Sequence, residues 1–467
     1  MIFDSPAAEF DRHLAGWTAG LSLAGPRVAT TVALTTTAAI SLAPSLLPRG
    51  ATTQALLTGV LTALGWGLAA LWRRMPRHRP GSGGSARPLA ALTGAVVLGW
   101  SVLVADRWQN ELRAAMGAPA VGPGHWLLVL AGGAAVCALL VGIGGVVHAL
   151  GRRLGTARTL AALVTACLAI TFWAAPAVWN QLASSYASSN STVDPALPQP
   201  SSPSMSGSAA SLTPWDSLGA EGRRFVAAPA APSVARTYVG VDTAPDLDSR
   251  VRLAVRELDR SGGFDRANVV VAVPTGSGWL DANAVAGFER RFAGDVAEVA
   301  VQYSVAPSWV TFVFGRDAAQ ESARALYSAV TQRVSQLPTD RRPNVYLYGQ
   351  SLGSVGASAA LRDPTVAAPC GALYAGPPAG AVRTDGATVL ANASDPVVRW
   401  SPRLLVAPPR LDETRPDAPT PGWLPVVSFV QTTVDLLTAL DAPAGHGHRY
   451  GTDQGTALPQ CAPPDAD

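Results

Sequence analysis

Five apolar stretches crowd the first 178 residues and restrict what this part of the chain can become. They run over 28–44, 53–72, 89–105, 126–150 and 159–178. Each is near the ~20 residues with which a helix crosses about 30 Å of hydrocarbon. In that medium every backbone N–H and C=O must find a partner inside the protein, which favours helices. Trp72, Trp108, Trp126, Trp173 and Trp179 lie at or near the ends of the stretches, where aromatic rings meet lipid headgroups. The pattern predicts an α-helical membrane bundle of about five spans. The first stretch, short and rich in Thr, is the weakest of them.

Arginine sets the expected orientation. The loop after the second stretch carries Arg73, Arg74, Arg77, Arg79 and Arg87, and the loop after the fourth carries Arg152, Arg153 and Arg158. The intervening loops are poorer: Arg49 in one, and Arg107 and Arg113 offset by Asp106 and Glu111 in the other. Arginine-rich loops face the cytoplasm, and the N-terminus goes with them. Five spans then put everything after about Asn180 outside. If the first stretch does not insert, the N-terminus moves out and the C-terminal half stays out. Residues 1–27 hold Asp4, Glu9, Asp11 and Arg12 and no cleavable signal pattern. Gly142-Ile-Gly-Gly145 reads as close helix packing, and His148 as interfacial.

A formal net charge of +3, without a basic stripe interleaved with aromatics, argues against a nucleic-acid partner. All 35 basic residues are arginine, which reads as compositional bias. Cys137, Cys167, Cys370 and Cys461 show no metal-ligand spacing, and no metal or cofactor is implied.

From 182 to about 212 the chain is Ser, Pro, Asn and Ala with little charge. Such a segment buries too little apolar surface to fold alone and predicts a linker or stalk. Asn190-Ser-Thr192 matches the N-glycosylation pattern. The expected division is a multi-span region over 1–181, a Ser/Pro-rich linker over 182–213 and a soluble domain over 214–467.

The soluble half alternates. Strand-like runs at 236–241, 268–273, 298–303, 344–348, 371–374 and 388–391 are interleaved with helical patterns at 246–258, 281–292, 317–337, 354–361 and 425–440. This predicts a mostly parallel, doubly wound sheet with helices on both faces.

One junction carries chemistry. The strand ending at Tyr348 runs into Gly349-Gln-Ser-Leu-Gly353 and then a helix of small residues. Strand, Gly-x-Ser-x-Gly, helix is the nucleophile elbow of an α/β-hydrolase. A glycine-rich turn in any doubly wound fold looks alike, so the partners of Ser351 decide. A serine hydroxyl needs a base, and the base an orienting acid, in chain order Ser, acid, His. The only histidines of this half are His446 and His448, and the choice between them stays open. Their plain alternative is two solvated loop residues or half of a metal site. Asp395, after the strand at 388–391, is the expected acid; otherwise it is an ordinary Asp-Pro turn. Asp385, Asp412 and Asp441 are runners-up, and Asp363 lies too close to the elbow. Leu352 N–H is the expected oxyanion donor, with Thr275 and Gly276 of Pro274-Thr-Gly-Ser-Gly-Trp279 as the second source; the alternative is a simple glycine turn. Residues 302–309 should line the same rim. Cys370 and Cys461 both fall in the outward half, where a disulfide is permitted.

Several motifs together resemble a family of bacterial, mostly actinobacterial, membrane proteins. They are Ser41-Leu-Ala-Pro-Ser-Leu-Leu-Pro-Arg49, Pro274-Thr-Gly-Ser-Gly-Trp279, Gln302-Tyr-Ser304, Gly349-Gln-Ser-Leu-Gly-Ser354, Ser394-Asp-Pro-Val397 and Gly445-His-Gly-His-Arg-Tyr450. That family joins an N-terminal multi-span region to a C-terminal α/β-hydrolase domain, and the resemblance covers nearly the whole chain. It implies a site with Ser351, Asp395 and one of the two histidines. Two departures are Gln350, where the family pattern has Glu, and a short stretch between Gly376-Pro-Pro378 and Asp395. The expected activity is that of a membrane-anchored, extracytoplasmic serine hydrolase, esterase-like or acyltransferring, acting on lipid or envelope esters. The alternative is a non-catalytic membrane assembly or transport-associated protein with a hydrolase-like domain.

Overall fold

The computed structural model describes residues 27–73, 86–411 and 414–461. Arg74, Arg77, Arg79, Asp412 and the charges before residue 27 lie outside the described residues. The chain forms two compact units. The first contains the described residues up to Ala166, together with Leu404–Pro408 and Ala418–Thr438. The second contains Cys167–Arg403, Pro409–Asp417 and the residues from Ala439 onward. The chain therefore returns to the first unit twice, which the expected division at 181 and 214 did not contain.

The first unit holds α1 (Val28–Ser41), α2 (Ala51–Trp72), α3 (Ala86–Ala115) and α4 (Pro123–Leu154). Helices α2, α3, α4 and α5 (Ala157–Ser191) are long and apolar enough to cross a membrane. That makes four candidate spans among the described residues, where about five were expected. With 14 residues, α1 reaches only about 21 Å. It packs by close approach instead. A Cβ on Gly65 of α2 would fall 2.4 Å from Thr37 Oγ1, and one on Gly94 of α3 would fall 2.6 Å from Thr35 Oγ1. The expected close packing at Gly142, Gly144 and Gly145 is not found among the described residues, none of which lies within 4 Å of a Cβ there. Gly59 and Gly132, in the contact between α2 and α4, take that role.

The run from Ser41 to Arg49 folds into a buried polar knot of the first unit. Arg49 is 1% exposed, and its Nη2 and Nε lie 2.8 and 3.0 Å from Asp435 Oδ1. Arg49 Nη2 also donates to Gln431 O at 3.0 Å, and Leu46 N–H donates to Asp435 Oδ2 at 2.8 Å. From α3, Gln109 Oε1 accepts Arg49 N–H, and Arg113 donates to Arg49 O. A buried charge persists only when paired and hydrogen-bonded in this way.

In the second unit a seven-stranded, all-parallel sheet has the order β1-β3-β2-β4-β5-β6-β7. The strands are β1 (Ala235–Val239), β2 (Asn268–Val273), β3 (Val296–Val301), β4 (Asn344–Gln350), β5 (Gly371–Ala375), β6 (Thr388–Asn392) and β7 (Thr414–Arg415). Alternate residues feed the two cores. Val269, Val271, Val299 and Leu347 enter one, while Val270, Ala272, Tyr346 and Tyr348 enter the other. The helices are α6 (Gly219–Ala227), α7 (Leu247–Arg260), α8 (Ala282–Arg291), α9 (Ser308–Phe314), α10 (Arg316–Ser335), α11 (Leu352–Ala360), α12 (Pro396–Arg399), α13 (Val427–Asp435, in the first unit) and α14 (Gln454–Ala457).

The Ser/Pro segment is not a free linker. Residues 182–191 continue α5, and Met205 pairs in parallel with Arg236 of the edge strand β1. Ser206 N–H donates to Arg236 O at 2.9 Å, and Arg236 N–H donates to Ser204 O at 3.1 Å. The buried Glu257 carboxylate accepts from Ser211 Oγ and Leu212 N–H. The segment makes no core of its own; it completes one already present. Asn190 of the glycosylation pattern is buried, its Oδ1 accepting from Gln302 Nε2 at 2.9 Å. Arg223 Nη2 donates to the carbonyls of Asn190, Ser191 and Thr192, closing the C-terminus of α5. Gln302 directly follows β3, so α5 docks at the C-terminal edge of the sheet.

Candidate active site

Ser351 stands between β4 and α11 with φ 53° and ψ −121°, a conformation costly for any residue with a Cβ. Its neighbours allow the sharp turn. A Cβ on Gly349 would lie 2.3 Å from Gly353 O, and one on Gly353 would lie 2.3 Å from Val273 O. Ser351 N–H donates to Ala375 O at 2.9 Å, and Ser354 N–H donates to Ser351 O at 3.0 Å. These bonds hold the elbow in place. Leu352 opens α11, so its N–H belongs to the turn without intrahelical acceptors.

Asp395 follows β6 and is fully buried. It caps α12, with Oδ1 accepting Val397 N–H at 2.8 Å and Pro396 next in the helix. The Asp-Pro turn and the candidate acid are thus one feature. Asp395 Oδ2 lies 2.7 Å from His448 Nδ1 and accepts Tyr450 O–H at 2.7 Å. Burial, and then the Asp395 carboxylate beside it, push the Tyr450 hydroxyl well up, so it stays protonated and donates.

His448 is buried and backed by Gly376, whose φ is 55°. A Cβ there would sit 2.9 Å from His448 Cε1. Gly376 directly follows Ala375, whose carbonyl holds Ser351 N–H. Ser351 and His448 therefore flank the C-terminal end of β5. With Nδ1 on Asp395, Nε2 is the remaining ring nitrogen of His448. No hydrogen bond joins Ser351 Oγ to His448 Nε2, a link that commonly tightens only in the substrate complex.

His446 is placed differently. Its Nδ1 is 3.4 Å from Asp417 Oδ2, and that carboxylate is already taken by Ser394, through N–H at 2.9 Å and through Oγ. Ser394 Oγ accepts Gly447 N–H at 2.9 Å, and Asn392 Nδ2 donates to Gly447 O at 2.8 Å. Arg415 Nε holds Asn392 Oδ1 at 2.6 Å. This shell fixes the turn between the two histidines. Sequence reasoning missed Tyr450, Asp417, Asn392 and Arg415. Tyr450 stood within the Gly445–Tyr450 motif, but no local spacing signals Asp417 or Arg415.

The runners-up for the acid are elsewhere. Asp385 is exposed and pairs with Arg383, and Asp441 is exposed; Asp363, too close to the elbow to be one of them, accepts from Thr365. The expected second oxyanion source also differs. Thr275 N–H donates to Trp279 O at 3.0 Å, and Gly276 N–H donates to Ser308 Oγ at 3.2 Å, so both amides are engaged. Gly276 is needed for packing, since a Cβ would fall 2.7 Å from Ser308 Cα. As expected, 302–309 reaches this rim, through Tyr303 O–H to Pro274 O at 2.9 Å and through Ser308.

Residues 235–388 and 383–466 match the model of an alpha/beta-hydrolase family, and residues 42–229 match the model of that family's N-terminus. No match was found among curated proteins or among solved structures. Elbow, sheet and matched halves agree: the chain belongs to this alpha/beta-hydrolase family.

Proposed function

We propose that the protein is a membrane-anchored serine hydrolase or acyltransferase acting outside the cytoplasm. The observation that carries this is the 2.7 Å Asp395–His448 pair beside the strained elbow serine. In this reading His448 Nε2 takes the Ser351 Oγ proton as Oγ bonds to an ester carbonyl carbon. The carbonyl π pair moves to oxygen, where Leu352 N–H stabilises it. Collapse breaks the bond to the leaving alcohol, which takes the proton from His448. The acyl-serine is then attacked by water or by a second alcohol in the same sequence, giving acid or transferred ester. Asp395 orients the imidazole and balances its charge, and Tyr450 fixes Asp395.

Location outside the cytoplasm is supported by Arg73 and Arg87 at one end of the spans and by the Cys370–Cys461 disulfide, with Cα atoms 4.8 Å apart, in the other half. With four spans, the residues that follow α5 lie on the outer side. A membrane-impermeant reagent tests this: a cysteine placed at exposed Asp385 should react in intact cells, and protection until lysis refutes the orientation.

The engaged amides of Thr275 and Gly276 favour the rival reading, a non-catalytic membrane assembly protein. One experiment separates the two. The full chain in detergent is treated with a fluorophosphonate probe, alongside Ser351→Ala, His446→Ala and His448→Ala. Labelling lost in Ser351→Ala and His448→Ala supports the hydrolase. A folded wild type that stays unlabelled leaves the assembly role as the better account.

A further inference from the structure

Within the second unit a continuous path leads from the elbow to the membrane helix. Gly353 packs on Val273 O at the end of β2, and Gly276, three residues further, lies against Ser308, the first residue of α9. At the other end of α9, the Phe314 ring meets Trp179 of α5 edge-on, with centroids 5.7 Å apart. Trp173, 79% exposed, and Trp179 stand at the end of the apolar stretch of α5, where aromatic rings mark the membrane interface. Asn190, docked beside Gln302, lies 11 residues beyond Trp179, about 17 Å along a helix. The sheet edge that carries Ser351 is thus the edge at which the membrane helix arrives.

On α9, Val310 and Thr311 point inward while Trp309, Val313 and Phe314 are 66%, 62% and 72% exposed. Such an apolar face is costly in water, and it is continuous with the aromatic end of α5. Exposed Arg316 follows, its guanidinium 4.0 Å over the Phe312 ring, suited to a headgroup phosphate. One short helix binds a bilayer weakly, but α5 tethers it there and raises its effective concentration at the surface.

We propose that α9 lies in the outer boundary of the bilayer and that the substrates of Ser351 are acyl esters of membrane lipids, entering past this helix. The substrate assignment rests on the hydrolase reading; the placement of α9 does not. Two measurements on the full chain in lipid nanodiscs test it. In a Cys137→Ser/Cys167→Ser background, Val313→Cys is labelled with an environment-sensitive fluorophore. Brominated lipid should quench it. An unquenched label overturns the proposal, including the case in which a second protein copy covers the face. Separately, Val313→Ser/Phe314→Ser should lose about 10-fold or more activity on a long-chain ester in vesicles, the scale of one large apolar contact. Hydrolysis of a short soluble ester should be retained. Equal losses on both substrates, or none on either, overturn entry past α9. Absence of fluorophosphonate labelling at Ser351 would remove the hydrolase reading and the substrate assignment with it, whereas quenching judges the placement of α9 alone.

Discussion

Asp395 and His448 meet through a 2.7 Å contact between Oδ2 and Nδ1, both side chains buried, while half-buried His446 stands 3.4 Å from Asp417. The neighbouring histidines thus have unequal partners, and the first prediction follows from that inequality. His448→Ala should lower kcat on a soluble ester by roughly 10³-fold or more, the scale of losing a general base and its orientation. His446→Ala should stay within about 10-fold of wild type, because it touches only the shell that holds the turn. Equal losses in steady-state assays would reject the assignment of His448.

Tyr450→Phe tests the support of the acid. It removes one hydrogen bond to Asp395, a charged acceptor, at a cost of about 1.5–3 kcal/mol shared between folding and site geometry. Labelling of Ser351 by fluorophosphonate should slow while Tm falls. An unchanged labelling rate would show that Tyr450 is a packing residue only.

Asp435→Ala leaves Arg49 buried without its main counter-charge. A loss of about 3–5 kcal/mol is expected, read as a fall in the detergent-solubilised unfolding temperature. The pair Arg49→Met/Asp435→Leu should recover much of it, since removing both charges avoids the orphan. No recovery would mean that the loss comes from packing rather than charge.

Glu298 gives a pH dependence. Burial pushes its carboxyl up to about 8, although Arg236 Nε, 3.6 Å away, pulls it down. The guanidinium charge is already balanced by Glu289 at 2.5 Å, which is why desolvation wins. The folded state therefore binds this proton more tightly than the unfolded chain does. The associated stability is fully present below the ordinary carboxylate range and is lost as pH rises to about 8. Across that window wild type should lose stability relative to Glu298→Gln in thermal scans. A constant difference would refute the shift.

Much of this architecture is legible in the residues. The run Asn268–Val273 is observed as a strand with the expected bounds, and Gly349 and Gly353 announce the turn around Ser351 because a Cβ at either would clash. The strand expected at 298–303 lies two residues earlier, at Val296–Val301, since Gln302 and Tyr303 look strand-like but serve as rim contacts. The Ser/Pro segment misled because composition reports what a segment can bury alone, not what it completes. Asp417 lay beyond reach for a related reason: its role depends on Ser394, and no periodicity links the two. Helix α9 is short, and its apolar residues Trp309, Val313 and Phe314 face outward, which defeats any pattern based on burial.

The interleaving of the two units bears on how the protein can be cut. The chain passes between them after Ala166, Arg403, Pro408, Asp417 and Thr438. A protease that severs the Ser/Pro segment cuts within the second unit and leaves all five connections intact, so the C-terminal fragment still carries Leu404–Pro408 and Ala418–Thr438 of the first unit. Release of that fragment by single cleavage therefore also requires both segments to leave the first unit. After limited proteolysis both fragments should remain in the membrane pellet.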